Sequence, residues 1–135
     1  MERWLKICHN GEMKFVDLPC SSEHHDPTYP FLHAVYRELD CDSIEIVRTK
    51  GFDALFSCRE CMIIIDGCGK LKEGFENRIN NLCTLNYAPG MDCIVGDALL
   101  GFRMGPEILP FPEEMYRHFI GYIESIFDDF HFVEA

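Results

Sequence analysis

The segment Gly74-Phe75-Glu76-Asn77-Arg78-Ile79-Asn80-Asn81 gathers an aromatic ring, a guanidinium and three amides where strand-like residues give way to a helical pattern. A helix start leaves N–H groups unpaired and carries partial positive charge, so an anion is favoured there. Arg78 could offer a two-pronged fork to a phosphate, and Phe75 a face on which a base stacks. Asn77 before Arg78-Ile79 is also an ordinary N-cap, and for this segment taken alone a plain capped helix is favoured over a ligand site. Arg103 and Arg48, each at the end of a strand-like run, are further candidate cations, with surface ion pairs as their ordinary explanation.

The cysteines suggest a second chemistry and then weaken it. Cys58-Arg59-Glu60-Cys61 has CxxC spacing and Cys68 follows seven residues later. A structural zinc site needs a second pair or closely spaced histidines. The only neighbouring histidines, His24-His25, fall upstream in a polar loop. A redox CxxC opens a helix after a strand, whereas this one precedes a strand. No metal or other cofactor is expected, and the eight cysteines read as small, mostly buried thiols of a reducing compartment. His118 beside Arg117 and the pair Asp128-Asp129 read as solvated helix residues. Gly67-Cys68-Gly69 reads as a hairpin turn. The chain contains no GxSxG elbow, Walker loop, HExxH or dinucleotide-binding glycine pattern, so no catalytic set is assigned.

Composition narrows the function classes. The 135 residues are 47% hydrophobic, with 12 Lys plus Arg against 23 Asp plus Glu, a formal charge of −11. That is the size of one domain, 1–135, with enough apolar residues for a core. A surface this acidic does not track a nucleic-acid backbone, so no direct nucleic-acid binding is expected. The longest clean apolar run, Met62–Ile65, is far too short to span a bilayer. Met1-Glu2-Arg3-Trp4-Leu5-Lys6 lacks the apolar region of a signal peptide, which makes a cytoplasmic location the expectation.

The elements that must position these residues follow from patterning. Asn10-Gly11 predicts a type I′ hairpin between strands at about 3–9 and 12–18, pairing Cys8 with Met13, Lys6 with Phe15 and Leu5 with Val16. A polar stretch from Pro19 to Pro30 leads into a helix over Pro30–Leu39. Ser43–Arg48 reads as a strand, Gly51–Ser57 as a loop or irregular edge, and Cys61–Ile65 as a strand buried on both faces. Lys70–Lys72 reads as a short partner strand, Asn77–Asn86 as a helix and Pro89-Gly90 as a turn. Cys93–Phe102 reads as a strand in which Gly96 marks a bulge or close approach. Pro112 opens a final amphipathic helix with the stripe Met115, Tyr116, Phe119, Ile120, Ile123, Ile126, Phe127. The class is α+β: a mainly antiparallel sheet with an N-terminal hairpin, two inserted helices and a C-terminal helix that packs on the sheet or joins copies into a homo-oligomer.

From Phe31 to Glu114 the chain resembles a small domain family of unknown function carried by phages and mobile elements of Gram-positive and gut bacteria. The matching residues are the opening hairpin, Phe31-Leu32-His33-Ala34-Val35, Cys41–Val47, Met62–Gly69, Asn77-Arg78 and Cys93-Ile94-Val95-Gly96-Asp97. The chain departs from that family in having Asp40-Cys41-Asp42-Ser43 where a glycine-rich turn is usual, and in lacking an alanine soon after Asn77-Arg78. Its overall plan is also similar to the Thoeris anti-defence sponges, phage proteins that form oligomers and sequester cyclic ADP-ribose-type signals without cleaving them. That similarity implies a base on Phe75, ribose and phosphate held by Asn77, Arg78 and Arg103, and Asn86 and Tyr87 as neighbours. The alternative is an acidic DNA mimic that blocks a host defence or DNA-processing protein. An enzyme ranks last.

Overall fold

A computed structural model describes residues 1–20, 29–57, 59–87 and 92–134. His24-His25, Cys58, the Pro89-Gly90 turn and most of the Pro19–Pro30 loop fall outside these residues. The elements run β1 (Glu2–Ile7), β2 (Glu12–Leu18), α1 (Tyr29–Leu39), β3 (Ile44–Arg48), β4 (Cys61–Asp66), α2 (Asn81–Asn86), β5 (Ala98–Met104), β6 (Glu107–Leu109), α3 (Glu113–Ile126) and β7 (His131–Phe132), with short 3-10 turns at Lys50–Phe56, Gly69–Leu71 and Phe75–Asn77. The strands form one sheet in the order β3-β4-β5-β1-β2-β7, with β6 folded back on β5. Every pairing is antiparallel except that of β7 with β2. The mixed α+β class and the antiparallel sheet are as the patterning implied.

Strand alternation sorts the apolar residues onto two faces. Leu5, Ile7, Met13, Val47, Ile63, Ile65 and Leu100 face one layer, with Tyr116, Phe119, Ile120 and Ile123 of α3 and Phe52 and Phe56 of the first 3-10 turn. Trp4, Leu18, Ile64 and Leu99 face the other, under Phe31, Ala34, Val35 and Leu39 of α1. β4 is buried at all six positions, which is why its sequence lacks alternation. Trp4 lies so close over Gly101 that a Cβ there would sit 2.5 Å from the indole ring. Tyr116, fully buried, donates its hydroxyl hydrogen to the Leu100 carbonyl and accepts from the Phe111 amide at 3.1 Å. That pair of bonds ties α3 to the sheet. The stripe of α3 is therefore spent on the core, leaving Tyr122 and Ile126 exposed.

Several expectations are corrected. The hairpin pairs Ile7 with Met13, Lys6 with Lys14 and Leu5 with Phe15, one residue away from the expected register. Only Gly11, at φ +97°, takes a positive φ in the turn, and Asn10 does not. The Cys8 carbonyl accepts from Gly11 N–H, and the Asn10 side chain accepts from Glu12 N–H, so the loop has three residues. Gly11 is also where the C-terminal segment docks, since a Cβ there would lie 2.0 Å from the Asp129 carbonyl oxygen. Lys70–Lys72 does not pair with β4, whose neighbours are β3 and β5. Gly67-Cys68-Gly69 thus leads into a 3-10 turn, not back along a hairpin. Gly51–Ser57 lies mostly within a 3-10 helix. The strand expected from Cys93 begins only at Ala98, because Gly96 turns the chain at φ +87°. The strands β6 and β7, of three and two residues, are too short to give a period.

Candidate functional site

Three of the candidates, Phe75, Asn77 and Arg78, follow the end of β4. Asp66, buried there, accepts the Cys68 amide at 2.9 Å and holds Lys72 Nζ at 2.7 Å in an ion pair. Lys72 also donates to the Asp40 carbonyl at 2.9 Å, tying this end of β4 to the end of α1. Beyond the Gly69–Leu71 turn, Gly74 at φ +76° opens the turn Phe75–Asn77, and Arg78 N–H closes it on the Phe75 carbonyl at 2.9 Å.

Helix α2 starts later than expected, and its cap is Asn80, not Asn77. The Asn80 side chain accepts from Cys83 N–H at 3.3 Å. Its amide group donates to the carbonyls of Ile7 at 2.9 Å and Gly96 at 3.1 Å. It is completely buried, whereas Asn77 is exposed. In sequence the two positions look alike, because each asparagine precedes a helical pattern. With six residues, α2 is also too short for a useful dipole.

The six sequence candidates do not form one group. Phe75, Asn77 and Arg78 share one turn. Phe75 and Arg78 are half-buried. The Arg78 carbonyl accepts Gly96 N–H at 2.7 Å, and its guanidinium lies 3.6 Å from where a Cβ on Gly96 would stand. Arg78 has no ion pair among the described residues, and its charge opposes that of nearby Lys72. Arg103 is at the other end of β4, beside Glu60 at 3.5 Å. Five strand steps, about 16 Å, separate the two ends. Arg48 is there too, clamped by Asp53 through contacts of 2.9 and 2.6 Å. The Arg48 guanidinium holds the Asp53 carboxyl below its ordinary range. Asn86 donates to the Leu82 carbonyl at 2.8 Å and packs so tightly on Gly51 that a Cβ there would lie 2.4 Å from its side-chain oxygen. Its role is helix packing.

Tyr87, the last candidate, borders a cleft of about 320 Å³ between the β3–β4 face and the chain after residue 92. Val47, Ile65, Ile94 and Val95 supply apolar walls, and Glu45, Lys70, Asp92 and Tyr87 the polar ones. Lys70 pairs with Asp92, a contact that raises the lysine above its ordinary range. Sequence reading missed Glu45 and Lys70 because only the sheet and the Gly69–Leu71 turn bring them together. A Cβ on Gly69 would touch the Val95 carbonyl at 3.3 Å, so this glycine lets the turn close against the cleft wall.

Other reactive groups are held quiet. Burial pushes Cys8 up to about 11 and Cys61 up to about 12, and it raises Cys83 as well. Cys61 and Cys68 flank opposite ends of β4 and cannot share one metal ion. No three His, Cys, Asp or Glu groups converge among the described residues. Asp97 accepts the His9 amide at 3.1 Å and faces His9 Nδ1 at 2.9 Å, with Lys6 Nζ at 3.6 Å. Burial acts to raise its carboxyl, but these partners outweigh burial and hold it low. Lys6 caps the Glu38 carbonyl at 3.0 Å, so the cluster joins β1, β5 and α1.

These features define an α+β fold with a cleft and, at one end of its sheet, an arginine that has no ion pair among the described residues. No family model, curated protein or solved structure matches the chain. No helix among the described residues is long and apolar enough to cross a membrane.

Proposed function

We propose that this protein binds and sequesters a small nucleotide without converting it, with Arg78 as the phosphate anchor. The observation that carries the reading is an arginine without an ion pair, Arg78, closing the turn that carries Phe75 and Asn77. Arg3, Arg48, Arg103 and Arg117 each sit against a carboxylate, while Arg37, Arg59 and Arg78 have no ion pair among the described residues. Arg59 lies over the Phe102 ring, and of the three only Arg78 adjoins the turn that carries Phe75 and Asn77. An arginine left without an acid in a chain of −11 charge is available to an external anion. Phe75 and Asn77 on the same turn supply a stacking face and an amide within reach of a sugar. Arg103 and Asn86 leave the proposed site, since other contacts hold them. The resemblance to mobile-element domains and to the Thoeris sponges supports an anti-defence role in the host cytoplasm, where the thiols stay reduced. Self-association falls on Tyr122 and Ile126 of α3. The acids are dispersed over the fold, many against cations, which favours sequestration over DNA mimicry.

The test is a thermal-shift panel of linear and cyclic purine and pyrimidine nucleotides on the wild type and Arg78→Ala. Ligand at a hundred times its Kd stabilises by about 2.7 kcal/mol, a rise of several degrees. The reading expects that rise for the wild type and its loss in the variant. A flat panel, or an equal rise in Arg78→Ala, overturns it.

A further inference from the structure

We infer that the cleft beside Tyr87 is a base pocket selecting the guanine edge through the Glu45 carboxylate. The inference rests on the nucleotide reading above, moves the base from Phe75, which does not line the cleft, into the cleft itself, and specifies which base it takes. Charge bookkeeping around the cleft leaves one group over. Asp92 is neutralised by Lys70, and Asp66 by Lys72. Glu45 lines the cleft, is exposed and has neither a hydrogen bond nor an ion pair among the described residues. It acts on Lys70 only at a distance, and Lys70 is already held by Asp92. Beside Glu45 on the same sheet face the wall is apolar, since Val47 is two residues along the strand and Ile65 is the cross-strand partner of Glu45, and Ile94, Val95 and the aromatic Tyr87 line the rest.

A slot with apolar walls and one carboxylate free of hydrogen bonds suits a flat molecule that presents N–H donors at one edge. An ionised carboxylate only accepts hydrogen bonds, through two oxygens side by side. Guanine offers two parallel donors, N1–H and the 2-amino group, and fills both oxygens. Hypoxanthine keeps N1–H and lacks the amino group. Adenine sets an acceptor nitrogen beside its amino group, and uracil flanks its N–H with two carbonyls, so both bring a lone pair against the carboxylate. The phosphate anchor is close by in the chain: Val95, part of the cleft wall, bridges to Ile79, the residue after Arg78.

The experiment is calorimetric titration of the full chain, wild type and Glu45→Gln, with GMP, IMP, AMP and guanosine, with melting curves confirming that the variant folds. Losing one charge-assisted bond costs about tenfold or more in affinity, so GMP is expected to bind at least tenfold tighter than IMP or AMP. Glu45→Gln is expected to erase that preference. Equal affinity for GMP and IMP, or a preference that survives Glu45→Gln, overturns the inference while leaving the nucleotide reading standing. Binding of guanosine with no added affinity for GMP sinks the phosphate anchor and keeps the base pocket. No binding of any of the four overturns both.

Discussion

Asn80 uses all of its side-chain polarity at once: its oxygen caps α2, and its amide group satisfies carbonyls of β1 and of the Gly96 turn. Truncation would leave three buried backbone groups without partners, so Asn80→Ala is expected to cost about 2–4 kcal/mol. Asn77→Ala, at an exposed site, is expected to stay within about 0.5 kcal/mol, and urea unfolding of both variants checks the contrast. The sequence places asparagines at 77, 80 and 81, each able to cap. Nothing local marks which one will be buried, because its partners lie 73 and 16 residues away. The thiols divide by the same logic of burial. Cys8, Cys61 and Cys83 are buried, whereas Cys20, Cys41, Cys68 and Cys93 are half-exposed. At pH 8 a thiol reagent is expected to label the second group in the native protein and the first only after denaturation. The buried thiols hold their protons more tightly folded than unfolded. Their contribution to stability is therefore complete below the free-thiol range, about pH 8.5, and is lost as pH rises toward 11–12. Urea midpoints at pH 7 and pH 10 should fall in that order.

At the scale of elements, the end of α1 shows how the chain manages without a glycine. Asp40 adopts φ +51°, and the bonds Cys41 N–H to Tyr36 O and Asp40 N–H to Arg37 O close the helix in a Schellman arrangement. Asp40→Gly is expected to stabilise the fold by about 0.5–1 kcal/mol, read as a rise of several degrees in Tm. A fall would mean that the Asp40 carboxylate makes a contribution its backbone strain hides. The helices α1 and α3 and the strand β4 were legible because each buries one stripe, or all of itself, in its own sequence period. The hairpin was legible as a hairpin but not in register. Asn10-Gly11 signals a tight turn, while docking of the Asp129–Phe132 segment on Gly11 is a long-range fact. A one-residue slip exchanges the faces of a strand, and β1 is apolar enough on both to conceal the error.

The whole molecule is a sheet covered on one face by α1 and on the other by α3 and the short turns, and charge is arranged around that frame. Cations at the start of β4 meet Asp53 and Glu60; at its end Lys70 and Lys72 meet acids while Arg78 does not. Of the proposed site, Phe75, Asn77, Arg78 and Tyr87 could be named from sequence. Glu45 and Lys70 could not, since the cleft exists only once β3 pairs with β4 and the Gly69–Leu71 turn folds over it. The exposed pair on α3, Tyr122 at 46% and Ile126 at 52%, leads to a further expectation. Ile126→Glu should lower the molar mass seen by light scattering to that of one chain and remove any dependence of Tm on protein concentration, and an unchanged mass would remove α3 from any interface. The central claim is capture without conversion at Arg78. Equilibrium dialysis against labelled GMP and cyclic GMP, followed by heat release and chromatography, tests it most directly. The account expects retention of labelled nucleotide by the wild type, its recovery unaltered after heating, and at least a tenfold loss of retention in Arg78→Ala. A product peak, or retention that survives Arg78→Ala, would contradict it.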